Sequence, residues 1–237
     1  MELSVIIPAY NESEVIARTV RHVDEFFAKE HIDGEMIVVD DGSTDGTGGV
    51  LAHVKNTTSP LKIISFSKNT GKGAACKAGF TASRGSWSVF MDADESTTID
   101  TWNTFKPFTK QFDILIGSRS IAGARVLKRQ NIVRILAGKL GNKWIKLITG
   151  LPFYDTQCGF KAFHERTKSL LAYTQVNGWA FDIEWLAVAQ KTGFKIKELP
   201  VEWHNDTTSL VRPIDYPRVL WEVVNIKFHI KKIPPRA

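Results

Sequence analysis

Short apolar runs alternate with amphipathic segments through most of the chain, and this alternation constrains the fold more than any other feature. Six runs are predicted as strands, at residues 3–8, 36–39, 61–66, 87–92, 113–117 and 195–201. The segments predicted as helices between the earlier runs lie at residues 12–29, 47–54, 73–83 and from 98 onward. This order predicts an α/β fold with a mostly parallel central sheet and helices on both faces.

Carboxylates follow the first, second and fourth predicted strands. They are Glu12, the adjacent Asp40 and Asp41, and the pair Asp92 and Asp94. In open parallel sheets the ligand crevice lies beyond the carboxyl ends of the strands. We therefore expect these side chains to form one site.

Asp92 and Asp94 stand one residue apart, just where the fourth strand ends. Because the chain has left the alternating pleat there, two such carboxylates can converge on one hard cation. Mg²⁺ or Mn²⁺ bound in this way keeps open positions for substrate phosphates. The alternative is a turn that uses Asp for its backbone hydrogen bonds.

The adjacent Asp40 and Asp41 repel each other, so a turn built only for stability would rarely contain both. Carboxylates accept hydrogen bonds from a nucleobase N–H or from ribose hydroxyls. Tyr10 and Glu12, in the stretch Pro-Ala-Tyr-Asn-Glu, suit the same ligand, because the ring can flank a base and the carboxylate can accept from a sugar. These residues predict a nucleoside site, with strand ending and helix capping as the alternative.

An excess of basic residues indicates an anionic partner. The 31 Lys and Arg against 25 Asp and Glu give a net charge of +6, which suits a nucleotide, a nucleic acid or an anionic membrane surface. Lys72, between Gly71 and Gly73 at a predicted helix start, indicates one anion contact through backbone N–H groups, with a solvated loop as the alternative. The stretch lacks the P-loop pattern.

The two cysteines, Cys76 and Cys158, predict a reducing compartment and argue against a structural zinc site. The chain enters its first strand directly, so we expect no signal peptide. No apolar run reaches the ~20 residues needed to cross a bilayer. We therefore expect a cytoplasmic protein that meets any membrane at its surface.

The motifs P-A-Y-N-E, V-V-D-D-G-S-T-D, N-T-G-K-G and D-A-D, in this order, resemble those of the inverting nucleotide-sugar glycosyltransferases with the GT-A fold. The resemblance extends over roughly residues 3–212. Later stretches, at residues 117–119, 155–161 and 198–203, are similar to the branch that makes dolichyl- or polyprenyl-phosphate hexoses. They look more like its glucosyl members than its mannosyl members.

The resemblance implies roles for matching positions. The residues implied to bind the nucleotide are Pro8, Tyr10, Glu12, Asp40, Asp41, Lys72 and Asp92. Asp92 and Asp94 would hold the metal, and Asp94 and Arg119 would be the catalytic residues. Arg119 and Arg134 would meet the acceptor phosphate. Residues 1–119 would form the nucleotide-sugar-binding half of one domain spanning residues 1–237, and residues 120–237 the acceptor- and membrane-facing half.

Two positions depart from the family pattern. Gly138 stands where relatives often carry a serine beside the acceptor phosphate. Glu95 and Ser96 stand where mannosyl members have a glutamine that helps to bind the metal, which weakens a GDP-mannose assignment.

A predicted helix at residues 126–148 is both basic and apolar. On a helical wheel, its lysines cluster beside an apolar arc. The lysine cluster consists of Lys128, Lys139, Lys143 and Lys146. The apolar arc consists of Val133, Leu136, Leu140, Trp144, Leu147 and Ile148. This pattern is typical of an interfacial helix on a membrane surface. The stretch 221–232 mixes aromatic residues and lysines in a similar way. An ordinary surface helix packed on the sheet is the alternative.

The sequence as a whole favours an enzyme that moves a hexose, glucose in preference, from a UDP-sugar to a polyprenyl phosphate. Alternatives are a GDP-mannose-dependent enzyme of the same branch and a soluble transferase acting on a saccharide hydroxyl. The latter needs a base, for which Asp182 or Glu184 is suitable. A nucleic-acid-binding protein is disfavoured because the base-facing candidates are acidic and no basic groove with interleaved aromatics is visible.

Overall fold

A seven-stranded sheet forms the centre of the molecule. The computed structural model describes residues 1–54, 57–127, 132–204 and 216–234. The strands are β1 (Leu3–Ala9), β2 (Gly34–Asp40), β3 (Leu61–Ser65), β4 (Trp87–Phe90), β5 (Ile114–Ser118), β6 (Arg125–Val126), β7 (Lys161–His164), β8 (Ile196–Pro200) and β9 (Glu202–Trp203). The α-helices are α1 (Ile16–Glu30), α2 (Thr47–His53), α3 (Lys72–Ala82), α4 (Trp102–Phe105), α5 (Ile132–Thr149), α6 (Phe181–Lys191) and α7 (Tyr216–Ile230). Short 3₁₀ segments flank α4, and a longer one spans Glu165–Tyr173.

The strand order in the main sheet is β3-β2-β1-β4-β7-β5-β8, with β6 and β9 forming a separate two-stranded sheet. All neighbouring pairs of the main sheet are parallel except those of β7, which runs antiparallel to both β4 and β5. The prediction of a mostly parallel sheet in an α/β fold is therefore confirmed.

Alternate residues of the central strands face two hydrophobic cores, one on each side of the sheet. Leu3, Val5 and Ile7 of β1 pack with α1 and with Trp102 in the first core. Ile6 of the same strand packs with α3 and α6 in the second core. This two-sided burial is why the strands read as continuous apolar runs and not as alternating ones.

The structure adds one strand to the main sheet that the sequence analysis did not predict, and the two short strands of the second sheet, β6 and β9, were not predicted either. Residues 161–164, expected to lie between a loop and further helices, form β7 inside the sheet, between β4 and β5. Phe163 pairs with Ser88 on one side and Ile114 on the other. The stretch is only four residues long, and its strand conformation depends on the neighbours it pairs with.

Two helix boundaries differ from the predictions. The helix expected at residues 126–148 begins at Ile132, because Val126 belongs to β6, which pairs in parallel with β9. The helix expected from Glu12 begins at Ile16, because the chain makes a turn after Asn11, whose φ is 56°. Val15 stands at the N-cap of α1, so Asn11, the candidate cap in the alternative interpretation of this stretch, does not cap the helix.

Candidate active site

The adjacency of β1, β2 and β4 brings the predicted site residues to one edge of the sheet. Tyr10 and Glu12 follow β1, while Asp41 follows Asp40 at the end of β2. Asp92 and Asp94 follow β4, on the other side of β1. The expectation that these polar clusters share one edge is confirmed.

Hydrogen bonds join the loop after β1 to the loop after β2. The backbone N–H of Asn11 donates to Ser43 Oγ, and that of Glu12 donates to Thr47 Oγ1, each at 2.9 Å. The Asn11 side chain in turn accepts from the Thr44 N–H at 2.9 Å. The two loops predicted to bind a nucleoside therefore form one connected wall.

Asp41 organises the loop that precedes α3. Its two carboxylate oxygens accept the N–H groups of Thr70, at 2.7 Å, and Gly71, at 2.8 Å. Burial raises the pKa of Asp41, while these two hydrogen bonds oppose the rise. The tight turn beside it requires Gly42, whose φ is +72° and where a Cβ would lie 2.4 Å from the Lys68 carbonyl carbon.

Three backbone N–H groups at the start of α3, where the sequence indicated an anion contact, already have partners within the chain. The N–H groups of Gly73 and Ala74 donate to the Asn177 carbonyl, at 2.8 and 3.3 Å, and that of Gly71 donates to Asp41. These three donors are therefore not open to an anion.

Lys72 forms an ion pair with Asp92. Burial alone would raise the pKa of Asp92, but the ammonium of Lys72, aided by Lys161 and Arg119, holds it below its ordinary value. The loop after Cys158 approaches this carboxylate closely, since a Cβ at Gly159 would lie 2.0 Å from Asp92 Oδ2. Only glycine fits there without moving Asp92.

Asp94 has a different environment. Its Oδ1 accepts the Ser96 N–H at 2.8 Å, and it forms no ion pair among the residues the structure describes. Burial raises the pKa of Asp94, and the neighbouring charge of Asp92 raises it further. Among the described residues, the second carboxylate of the motif is thus the one without an ion-pair partner.

Arg119 is held in place by a carboxylate that the sequence analysis noted only as part of a motif. Its Nε and Nη2 donate to the two oxygens of the buried Asp155, at 2.7 and 2.9 Å. The guanidinium also lies over the Trp203 ring, 5.4 Å from its centroid. Glu198 fixes Asp155 in turn by accepting its N–H at 2.8 Å. Although burial opposes protonation, Asp155 raises the pKa of Arg119.

The two candidate bases on α6 both have structural partners. Asp182 forms a buried ion pair with Lys161 Nζ at 3.0 Å, and burial raises the pKa of Asp182 despite that lysine. Glu184 accepts the N–H groups of Gln175 and Val176, each at 2.9 Å. Asp182 lies near the site, since it lines a small cavity with Lys72 and Asp92.

Some site residues were missed or cannot be placed. Lys161 was not predicted as a site residue, and no spacing signal in the sequence links it to Asp182. His204 lies beside the loop that carries Asp92 and Asp94, because its N–H donates to the Ser96 carbonyl at 2.8 Å. The backbone of Arg134 lies within α5, but its side chain is outside the part of the chain that is described.

The sequence matches a known family and several characterised proteins. Residues 4–165 match the family described as "Glycosyl transferase family 2". The chain is 32% identical over 249 residues to the dolichyl-phosphate beta-glucosyltransferase of Saccharomyces cerevisiae, covering 95% of this chain and 74% of that protein. It is 31% identical over 240 residues to the dolichyl-phosphate beta-glucosyltransferase ALG5C of Trichomonas vaginalis, and this match covers 95% of this chain and 71% of that protein.

A solved structure supports the fold assignment. Glucosyl-3-phosphoglycerate synthase from Mycobacterium tuberculosis, crystallised with Mn²⁺, UDP and phosphoglyceric acid, superposes with a TM-score of 0.69. The match covers 98% of this chain and 79% of that one at 17% identity. This similarity shows that the two proteins share a fold.

Proposed function

The chain belongs to glycosyl transferase family 2, and we propose that it transfers glucose, with inversion, from UDP-glucose to dolichyl phosphate or another polyprenyl phosphate. The observation that carries the proposal is the similarity to two dolichyl-phosphate beta-glucosyltransferases over 95% of the chain. The resemblance seen in the motifs of the sequence leads to the same enzyme class.

The donor nucleotide is proposed to bind beyond the ends of β1 and β2. Pro8, Tyr10 and Glu12 form one side, and Asp40 and Asp41 the other. The hydrogen bonds between these loops support the assignment, because they hold the two sides in a fixed relation before a ligand arrives.

Asp94 fits a divalent cation, with Asp92 as the second carboxylate. Its carboxylate is partly buried beside that of Asp92 and has no ion-pair partner in the part of the chain that the structure describes, which is the observation that supports a cation there. Among the described residues no three His, Cys, Asp or Glu side chains form a metal cage, so donor phosphates would complete the coordination, as is usual for Mg²⁺. A bound Mg²⁺ or Mn²⁺ supplies positive charge to the departing diphosphate. Lys72, beside Asp92, is placed to add a second positive charge.

The contacts of the two candidate bases, Asp182 and Glu184, support a phosphate acceptor and not a saccharide hydroxyl. A hydroxyl acceptor needs a group that removes its proton, whereas a phosphate is already anionic at neutral pH. Asp182 is paired with Lys161, and Glu184 is occupied by two backbone N–H groups. The task left to the protein is to align the phosphate oxygen with the anomeric carbon.

Arg119 is proposed to meet the acceptor phosphate. Asp155 takes two of its five N–H groups and so fixes the plane of the guanidinium. A fixed guanidinium holds a phosphate with directed hydrogen bonds. Arg134 is proposed as the second phosphate contact, on the resemblance alone.

The surface formed by α5 and α7 is proposed to dock on a membrane. The two helices pack against each other, with Ile145 of α5 buried in the core. Apolar side chains on both helices remain exposed: Leu140 (67%), Trp144 (37%), Leu147 (74%), Leu220 (42%), Trp221 (66%) and Phe228 (59%). Within the described ranges, no helix combines the length and apolar character that crossing a bilayer requires.

Exposed lysines lie on the same two helices or directly after them. Lys143 and Lys146 are exposed on α5, and Lys231 and Lys232 follow α7. Basic side chains beside exposed apolar ones favour binding to an anionic leaflet. A peripheral position at the cytoplasmic face of a membrane, where the protein would reach a lipid-linked acceptor, is part of the proposal.

A donor panel tests the proposed reaction. With polyprenyl phosphate and Mg²⁺ or Mn²⁺, we expect transfer from UDP-glucose in preference to UDP-galactose, UDP-N-acetylglucosamine and GDP-mannose. UDP should also bind more tightly than GDP, by about tenfold or ~1.4 kcal/mol, because the motifs resemble the glucosyl branch. Calorimetry showing tighter GDP than UDP binding with Mn²⁺ present would contradict the donor assignment. Transfer to a free saccharide but not to polyprenyl phosphate would contradict the acceptor assignment.

Vesicle sedimentation tests the docking surface. We expect Lys143→Ala to weaken binding to anionic vesicles by about 1 kcal/mol at low salt. Leu147→Ala should weaken binding at high salt as well, because it removes apolar contact and no charge. Lys110→Ala is the matched control, since Lys110 is also exposed but lies near Phe108 and Phe112, which pack on the opposite core. Equal losses for Lys110→Ala and Lys143→Ala would show only a general charge effect.

A further inference from the structure

Side chains of α1 hold the loop that carries Asp92 and Asp94. The buried Thr19 donates from Oγ1 to the Ala93 carbonyl at 2.6 Å. One turn further, His22 Nδ1 contacts Glu95 Oε1. Arg18 Nε lies 3.6 Å from the other oxygen of the same carboxylate. Helix α1 therefore contacts the residues that flank Asp94 on both sides.

The Glu95 backbone has a conformation that needs external support. Its φ is 55°, in the left-handed region that side-chain-bearing residues other than Asn and Asp rarely adopt. Such a conformation persists where surrounding contacts enforce it. The Glu95 side chain is only 10% exposed and is directed to His22 and Arg18. It is thus committed to α1 and not to the metal side of the loop.

His22 connects both ends of the loop. Its Nε2 lies 3.1 Å from Asp100 Oδ2, at the 3₁₀ turn that follows the loop, while its Nδ1 contacts Glu95. The ring is one-third exposed, and it is not among the buried residues by which α1 packs into the core, such as Val20 and Val23. Its contacts therefore serve the loop more than the hydrophobic core.

The conformation at Glu95 determines where Asp94 points. The Glu95 N–H donates to the Asp92 carbonyl at 3.2 Å, and the Ser96 N–H donates to Asp94 Oδ1 at 2.8 Å. A change of φ at Glu95 would reorient Ser96 and release the Asp94 carboxylate. The contact of His22 with Glu95 thus acts on Asp94 through two linked backbone groups.

We propose that His22 is a positioning residue that fixes Asp94 for a divalent cation by holding Glu95 in its left-handed conformation. The inference rests on the proposed metal role of Asp94. Groups that orient metal ligands commonly change metal affinity by 10–100-fold when they are removed. We therefore expect His22→Ala to weaken Mn²⁺ binding about tenfold.

The test titrates Mn²⁺ into the full chain with saturating UDP and follows free Mn²⁺ by electron paramagnetic resonance. His22→Ala is compared with Arg21→Ala, which removes an exposed cation from the same turn of α1. His22→Gln is the conservative variant, because an amide can bond one of the two carboxylates but not both. Thermal unfolding in EDTA shows whether each variant folds.

We expect weaker Mn²⁺ binding by His22→Ala, an intermediate value for His22→Gln and wild-type affinity for Arg21→Ala, with similar unfolding midpoints in EDTA. Wild-type affinity in a folded His22→Ala variant would overturn the inference and leave the metal role standing. Equal losses in Arg21→Ala and His22→Ala would also overturn it. If the wild-type chain with UDP binds no Mn²⁺, the metal role itself fails and the inference fails with it. Should His22→Ala not fold, the affinity of His22→Gln decides.

Discussion

We expect Asp94→Asn to abolish sugar transfer while leaving the fold intact. The amide keeps the shape of the side chain and its acceptor for the Ser96 N–H. It removes the one charge of the D-x-D motif that has no ion-pair partner among the described residues. Loss of that charge should lower kcat/KM for a UDP-sugar by at least about a hundredfold.

Initial rates with a labelled donor measure the effect, and circular dichroism reports on the fold. Asp33→Asn serves as a control, because Asp33 is an exposed carboxylate beside the amino end of β1, where it pairs with the terminal amine. Wild-type rates in Asp94→Asn, or wild-type rates in EDTA, would exclude the metal role of Asp94.

The second large effect concerns stability. We expect Lys161→Met to lower the free energy of unfolding by about 3–5 kcal/mol, because it leaves the buried Asp182 carboxylate without its partner. Methionine has a similar length, so little of the loss would come from a cavity.

A double-mutant cycle separates the ion pair from general packing. Lys161→Met combined with Asp182→Leu removes both charges, and we expect it to regain most of the lost stability. Urea unfolding at pH 7 supplies the four free energies of unfolding. A double variant as unstable as the sum of the two single variants would show that the pair itself contributes nothing.

The fold was largely predictable because its central strands are buried on both faces. Six strands lie within a few residues of their predicted positions. Four of them, β1, β2, β4 and β5, are almost wholly buried, while β3 and β8 lie at the sheet edges and are partly exposed. Strand β7 was missed because it is short and includes the basic Lys161 and His164. The position of β7 depends on pairing with β4 and β5, which lie far away in sequence. No local sequence pattern can predict such pairing.

The candidate site was predictable where residues follow strands. The position of the Asp40 and Asp92 stretches follows from topology alone, because parallel strands end at one edge. The ion-pair partners of the site residues were not predictable. Lys72 contacts Asp92, and Asp155 contacts Arg119, only in the folded chain. The predicted helix start at residue 126 was wrong, because Val126 belongs to β6, and the conformation of β6 depends on its pairing with β9.

The reversed strand β7 has a consequence for biosynthesis. Strands β4 and β5 follow each other along the chain, yet neither pairs with the other, and both pair with β7. While the chain is being made, the edges of β4 and β5 therefore stay open until residue 164 has emerged from the ribosome. Pairings between residues distant in sequence form slowly, and open apolar edges invite association between chains. The interval before β7 is inserted is thus one in which a nascent chain is exposed to association with other chains.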